Sequence, residues 1–184
     1  MVSATKLKQL TAGGIGSKQN FIQYQEGNIL TAFTRYAVPK FDVMVADTNT
    51  QFNPVTGIQK AVAKLWPELC LLSAEKGSCK LLDVRVVNEK LPDRFQTVAM
   101  IVMHNTSGES KEVTGVKNLF VSFREAFSTL LEEAVRSKLT IGMPVIGNRN
   151  IWAELETIIN ELCDEHGYTD MIQVYRPKPK AKVK

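Results

Sequence analysis

From Val116 to Tyr175, stretches with helical spacing alternate with stretches of strand character, and that alternation leaves few architectures open. Leu119, Phe120, Phe123, Phe127, Leu130 and Leu131 recur three or four residues apart, which predicts an amphipathic helix over Val116–Lys138. Thr140–Ile146 reads as a strand with turn residues immediately after it. Trp152, Leu155, Ile158, Ile159 and Leu162 mark a second amphipathic helix ending near Gly167, and Asp170–Tyr175 closes as a strand. The first half fits the same scheme. Ile22 and Tyr24 alternate with polar residues until Gly27-Asn28 breaks the run, and Phe41–Asp47 is apolar enough for a strand covered on both faces. Ile58, Ala61, Val62 and Leu65 share one helical face, which Pro67 ends. Leu81–Val87 and Thr97–Met103 read as strands joined by a polar turn, Asn88–Arg94. The expectation is an α/β protein of three layers, with a mixed, mostly parallel sheet and helices on both faces.

The 184 residues suffice for one domain with a substantial core, and 44% apolar against 23% charged residues is a globular balance. We expect a flexible arm over 1–19, the domain over 20–175 and a basic, disordered tail over 176–184. The tail carries five of the positive charges in nine residues and no acid. Its plain reading is a solvated extension; its sharper one is weak, nonspecific nucleic-acid contact through phosphate neutralisation. The Gly13-Gly14 stretch follows no strand and precedes no Gly-Lys-Ser/Thr, so it is not a phosphate cradle of the usual kind. No apolar run approaches the roughly 20 residues of a membrane helix, and the opening Met1–Lys6 lacks a signal core, so no membrane association and a cytoplasmic location are expected. Cys70, Cys79 and Cys163 form no CxxC unit and read as reduced thiols, with a Cys70–Cys79 bridge as the minor alternative. His104 and His166 stand far from them, so neither a metal nor a cofactor is expected. Oligomeric state is left open.

Two segments suggest where a ligand would sit. Phe21–Leu30 and Ile141–Trp152 each run from a short apolar strand into a Gly/Asn turn, and α/β proteins bind ligands where strands end in such turns. Tyr24-Gln25-Glu26-Gly27-Asn28-Ile29-Leu30, Gly57-Ile58 with Ala61, Leu65, Trp66 and Pro67, Met143-Pro144-Val145-Ile146-Gly147, Trp152-Ala153-Glu154 and Ile172–Tyr175 follow in the order and spacing of one known family. Over residues 21–175 the chain resembles the macro domain. Within it, the nearest branch is that of stand-alone ADP-ribose-1''-phosphate phosphatases and ADP-ribosyl hydrolases.

The resemblance implies an ADP-ribose-type nucleotide as partner and assigns residues to it. Asn28, with Ile29 beside it, would meet the adenine; Asn49 would lie near the distal ribose. Gly57 and Ile58 would start the helix whose amides face the diphosphate, and Gly147, Asn148, Arg149 and Asn150 would form the second phosphate-side loop. If the protein is an enzyme, it would release a terminal phosphate or an ADP-ribosyl group, with Asp47 and Asn49 as catalytic candidates ahead of Gln51 and His104. The chain departs from the family in its loops. Phe52-Asn53-Pro54-Val55-Thr56-Gly57 keeps one glycine where several usually stand, Pro54 removes an amide, and the second loop is short and lacks an acid. Two other readings follow: a binder without catalysis, and a scaffold that works through protein or nucleic-acid contacts. For Asp47, capping of the following loop competes with catalysis. For Arg149, a solvated turn arginine competes evenly with a phosphate clamp.

Overall fold

A computed structural model describes residues 19–31, 40–88, 91–104 and 113–178. Most of the expected arm and tail lies outside the described residues. The elements are β1 (Ile22–Glu26), β2 (Val43–Asn49), α1 (Gly57–Leu65), a 3-10 turn (Pro67–Leu71), β3 (Cys79–Asn88), β4 (Leu91–His104), α2 (Val113–Ser137), β5 (Ile141–Pro144), α3 (Arg149–His166) and β6 (Ile172–Arg176). The strands form one sheet in the order β1-β6-β5-β2-β4-β3. Every neighbouring pair is parallel except the antiparallel hairpin β3–β4. This is the mixed, mostly parallel sheet with helices on both faces that the sequence predicts.

The pleat divides the core in two. Val43 and Val45 of β2, with Ala99, Ile101 and Met103 of β4, point toward α2 and α3 and pack with Phe123, Phe127, Leu130, Leu155 and Ile159. Their neighbours Met44, Ala46, Val98, Met100 and Val102 point the other way, into a second core with Val62, Trp66, Leu69 and Phe41. All seven residues of β2 are buried, as a strand covered on both faces must be. Complete burial of a side chain such as Phe127 or Leu130 contributes about 1.5–3 kcal/mol.

The structure differs from the sequence reading at several element boundaries. The stretch from Leu91 to Arg94, expected as turn, belongs to β4: cross-strand pairs Val86–Arg94 and Asn88–Leu91 carry the ladder onward, and the core face of β3 keeps Val84 and Val86 buried beneath it. A helical turn begins at Ile29, capped by Asn28. Helix α3 starts at Arg149 rather than at Trp152. The Asn148 side chain accepts from the Ile151 amide at 3.0 Å, so Arg149 and Asn150 form the first helical turn and the second loop shrinks to Val145–Asn148. Beyond the strand expected to end at Tyr175, Arg176 completes β6.

Candidate nucleotide cleft

Four strands that are adjacent in the sheet, β1, β6, β5 and β2, are parallel, so their carboxyl ends share one edge. A cleft of about 270 Å³ opens there. Gly27, Asn28, Ile29 and Leu30 follow β1, Tyr175 and Pro177 close the β6 end, Pro144 and Val145 finish β5, and Gly57, Ile58 and Ala61 come from α1 beyond β2. This is the crevice that open α/β sheets offer to ligands. Its wall is largely apolar, and among the described residues the lining carries no carboxylate, imidazole, thiol or amine.

Its polar groups are few. At the start of α1, Thr56 and Gln59 form a reciprocal cap: the Gln59 amide donates to Thr56 Oγ1 at 3.3 Å, and Gln59 Oε1 accepts from the Thr56 and Val55 amides. The N–H groups of Gly57 and Ile58 find no partner among the described residues. Both residues line the cleft, so two donors at the positive end of a helix border it. Gly57 is exposed, and a Cβ built on it would meet nothing within 4 Å, so the approach to these amides is open. At the opposite side, exposed Asn28 turns its Oδ1 to the Leu30 amide at 2.9 Å.

The edges of the cleft are fixed by packing behind it. Gly27, at φ 127°, turns the chain out of β1, and its amide donates to the Arg176 carbonyl at 2.7 Å. Tyr175 meets Phe41 edge-on at 5.9 Å. Gly142 in β5 gives Phe41 its space, since a Cβ there would lie 2.5 Å from the ring. On the other face of β1, Tyr24 donates to Glu156 and accepts from Trp152 Nε1 at 2.8 Å, while the Arg176 guanidinium stacks 3.3 Å from its ring centroid. Burial first, and then the Glu156 hydrogen bond, raise the Tyr24 phenol above its usual pKa. This cluster ties β1, β6 and the first turns of α3 together. Trp66 is likewise structural, donating to the Arg85 carbonyl at 2.9 Å.

The residues singled out in the sequence divide among these surroundings. Asn28, Ile29, Gly57 and Ile58 come together in the cleft. Asn49 is almost fully buried and knots the first loop: its Oδ1 accepts from the Gln51 and Asn53 amides, and its Nδ2 donates to the Asn53 carbonyl at 2.6 Å. Asp47 is buried beside a separate cavity of about 20 Å³, where Gln59 Nε2 donates to it at 2.9 Å. Neither side chain belongs to the cleft wall. Three residues after Asn49, Phe52 takes a left-handed conformation, φ 55°, in the stretch that lacks the expected glycines, stabilised by burial of its ring. Gly147, at φ 74°, Asn148, Arg149 and Asn150 are exposed at the head of α3, next to the Pro144-Val145 rim. Arg149 has no partner among the described residues. Backbone pairing of His104 with Asn49 puts it at the end of β4. The Leu30, Ala61, Val145, Tyr175 and Pro177 walls had no signal of their own in the sequence, because apolar wall and apolar core read alike.

No protein-family model matches the chain, and no curated protein sequence does. Solved structures do match. The macrodomain of Thermus aquaticus DarG is 13% identical, with TM-score 0.57, over 88% of this chain and 100% of its own. Thermosipho africanus DarTG, solved in complex with ADP-ribose, is 11% identical, with TM-score 0.58, over 90% of this chain and 43% of its own. A Trypanosoma brucei macrodomain, also in complex with ADP-ribose, is 16% identical, with TM-score 0.50, over 84% of this chain and 63% of its own. The α/β fold of this chain is therefore that of the macrodomains. Among the described residues, no helix is long and apolar enough to cross a membrane, and no group of acidic, histidine and cysteine side chains could hold a metal ion.

Proposed function

We propose that the chain binds ADP-ribose or a close derivative in the cleft at the strand ends. One observation carries this reading: the capping pattern of α1 leaves the Gly57 and Ile58 amides unpaired on the cleft wall, where a diphosphate would receive two charge-assisted hydrogen bonds and the favourable end of a helix dipole. The apolar remainder of the wall suits a base and a ribose face. Structures of the same fold solved with ADP-ribose support it. Gly147, Asn148, Arg149 and Asn150 follow the lining residues Pro144 and Val145 in the chain, and Arg149 is the cation we assign to the distal phosphate or ribose end.

Recognition without catalysis is the reading we favour over processing of ADP-ribose-1''-phosphate or removal of ADP-ribose. Among the described residues the lining offers no general base, while Asp47 and Asn49 are engaged in holding the loop. Calorimetric titration with ADP-ribose, with AMP as control, tests binding; the expected result is ADP-ribose well ahead of AMP. Phosphate release from ADP-ribose-1''-phosphate then separates the two roles. Turnover that is lost in Asp47→Asn would reverse our preference, and absence of ADP-ribose binding would refute the proposal.

A further inference from the structure

The sheet ends at β3, and the hydrogen-bond phase of the β3–β4 hairpin decides which backbone groups stay outside it. The Val102 amide donates to the Ser78 carbonyl at 2.9 Å, and the Val102 carbonyl accepts from the Gly77 amide at 2.8 Å. Hydrogen-bonded pairs recur at every second residue of an antiparallel ladder, so Met100–Lys80, Val98–Leu82 and Gln96–Val84 bond inward. Cys79, Leu81, Asp83 and Arg85 therefore turn their N–H and C=O groups out of the sheet. Trp66 Nε1 holds the Arg85 carbonyl at 2.9 Å. The outward groups of Cys79, Leu81 and Asp83 have no partner among the described residues.

An open edge of this kind is a template for another strand, and its side chains suit a second copy of itself. Centred on Leu81, antiparallel self-pairing sets Leu81 against Leu81 and Cys79 against Asp83 on either side, all as hydrogen-bonded pairs. Lys80 then opposes Leu82. Leu81 is 40% exposed and would be covered by its counterpart. No like charges face each other, since Lys80 and Asp83 each oppose an uncharged residue. Neighbouring registers fit less well. Centred on Lys80, the pairing opposes two lysines. Centred on Leu82 or Asp83, it needs the Arg85 carbonyl that Trp66 occupies, and on Asp83 it also opposes two carboxylates. Centred on Cys79, it would run into Gly77, where the chain turns away with φ 88°.

We propose that the chain forms a symmetric dimer by antiparallel pairing of β3 with β3 about Leu81, which joins the two sheets edge to edge. The cleft lies over β1, β6, β5 and β2, with β4 between them and β3, so the pairing leaves it open. The strip is short beside the roughly 20–30 residues a side of a standard interface, so the dimer should dissociate on dilution.

Sedimentation equilibrium of the full chain tests it, with a mass expected to climb from one chain toward two as concentration rises. The Leu81 amide points outward, so Leu81→Pro removes bonds between the copies and none of those between β3 and β4. Leu81→Lys, at the same exposed position, opposes two positive charges and serves if the proline variant fails to fold. Each folded variant should sediment as one chain. With the exposed Cys70 replaced by serine, Leu81→Cys should form a disulfide-linked dimer under mild oxidation, because the opposed Cα atoms of such a pair stand about 5.5 Å apart. Phe95→Cys should not, although Phe95 is 71% exposed, because it lies on β4, one strand in from the edge. A wild type that stays one chain at about 1 mM overturns the proposal. So does a dimer that survives Leu81→Lys, or cross-linking through Phe95→Cys equal to that through Leu81→Cys.

Discussion

Gly57→Val separates the binding role of the α1 start from its structural role. The position is unusual for a glycine at a ligand wall: its φ is not positive, and a Cβ there would have open space for 4 Å around it. Valine is therefore free of strain in the unliganded protein. It ranks above glycine in helix propensity by at least about 0.3 kcal/mol, and it restricts the unfolded chain. The melting temperature should hold or rise by a degree or two, given about 2–4 °C per kcal/mol for a chain of this size. Binding should respond in the opposite sense. The side chain would stand between a ligand and the Gly57 and Ile58 amides, and hydrogen bonds to a charged group contribute about 1.5–3 kcal/mol each. Losing both would cost about 3–6 kcal/mol, or two to four decades of affinity. Calorimetry with ADP-ribose beside a thermal melt reads both quantities. A folded Gly57→Val variant that binds ADP-ribose as the wild type does would refute the assignment of these amides to the diphosphate.

Other expectations follow from single contacts. Arg149→Ala should weaken ADP-ribose binding while leaving the melting temperature unchanged, because the side chain is exposed and makes no bond to another described residue; a drop in stability with affinity intact would make Arg149 structural. Asn148→Ala should lower unfolding free energy by about 1 kcal/mol through loss of the α3 cap, read by denaturant titration. Gln59→Leu should destabilise by about 1–3 kcal/mol, since the interior hydrogen bond to Asp47 and the Val55 and Thr56 amides lose their partner. Burial pushes the Cys79 and Cys163 thiols up from 9.0 to about 12, so the folded state keeps protons that the unfolded chain releases. Stability should therefore be intact below pH 9 and fall as pH rises from 9 toward 12, shown by denaturant midpoints at increasing pH; a midpoint that holds across that window contradicts the assignment.

The fold was legible because its signals are collective. The period of Leu119, Phe123, Phe127 and Leu130 and the apolar run of β2 each report burial, and burial is what builds the layers. The boundaries were less legible, since they depend on single hydrogen bonds. Asn148 could have been read as a cap from its place three residues before Ile151, yet the same Gly/Asn chemistry also suits an open turn. Asn28 posed the same ambiguity before Leu30. In the hairpin, Leu91–Arg94 contains Pro92 and two charges and reads as turn. Its strand state follows from pairing with β3, a long-range contact that no local window contains.

The first loop is held by its own side chains, and the head of α1 stays open beside it. Consecutive glycines let a backbone curl close to a phosphate, and here Phe52 supplies the left-handed turn while burying its ring in the α1-side core. Asn49 then closes the loop on itself with three side-chain hydrogen bonds, which removes it from the cleft and makes it part of the scaffold. Pro54 removes one amide, and Gln59 occupies those of Val55 and Thr56. The amides left without a partner among the described residues at the head of α1 are those of Gly57 and Ile58. Gly57 is thus the residue whose missing side chain keeps these amides accessible, and Asn49, Phe52 and Gln59 brace the loop that leads to it.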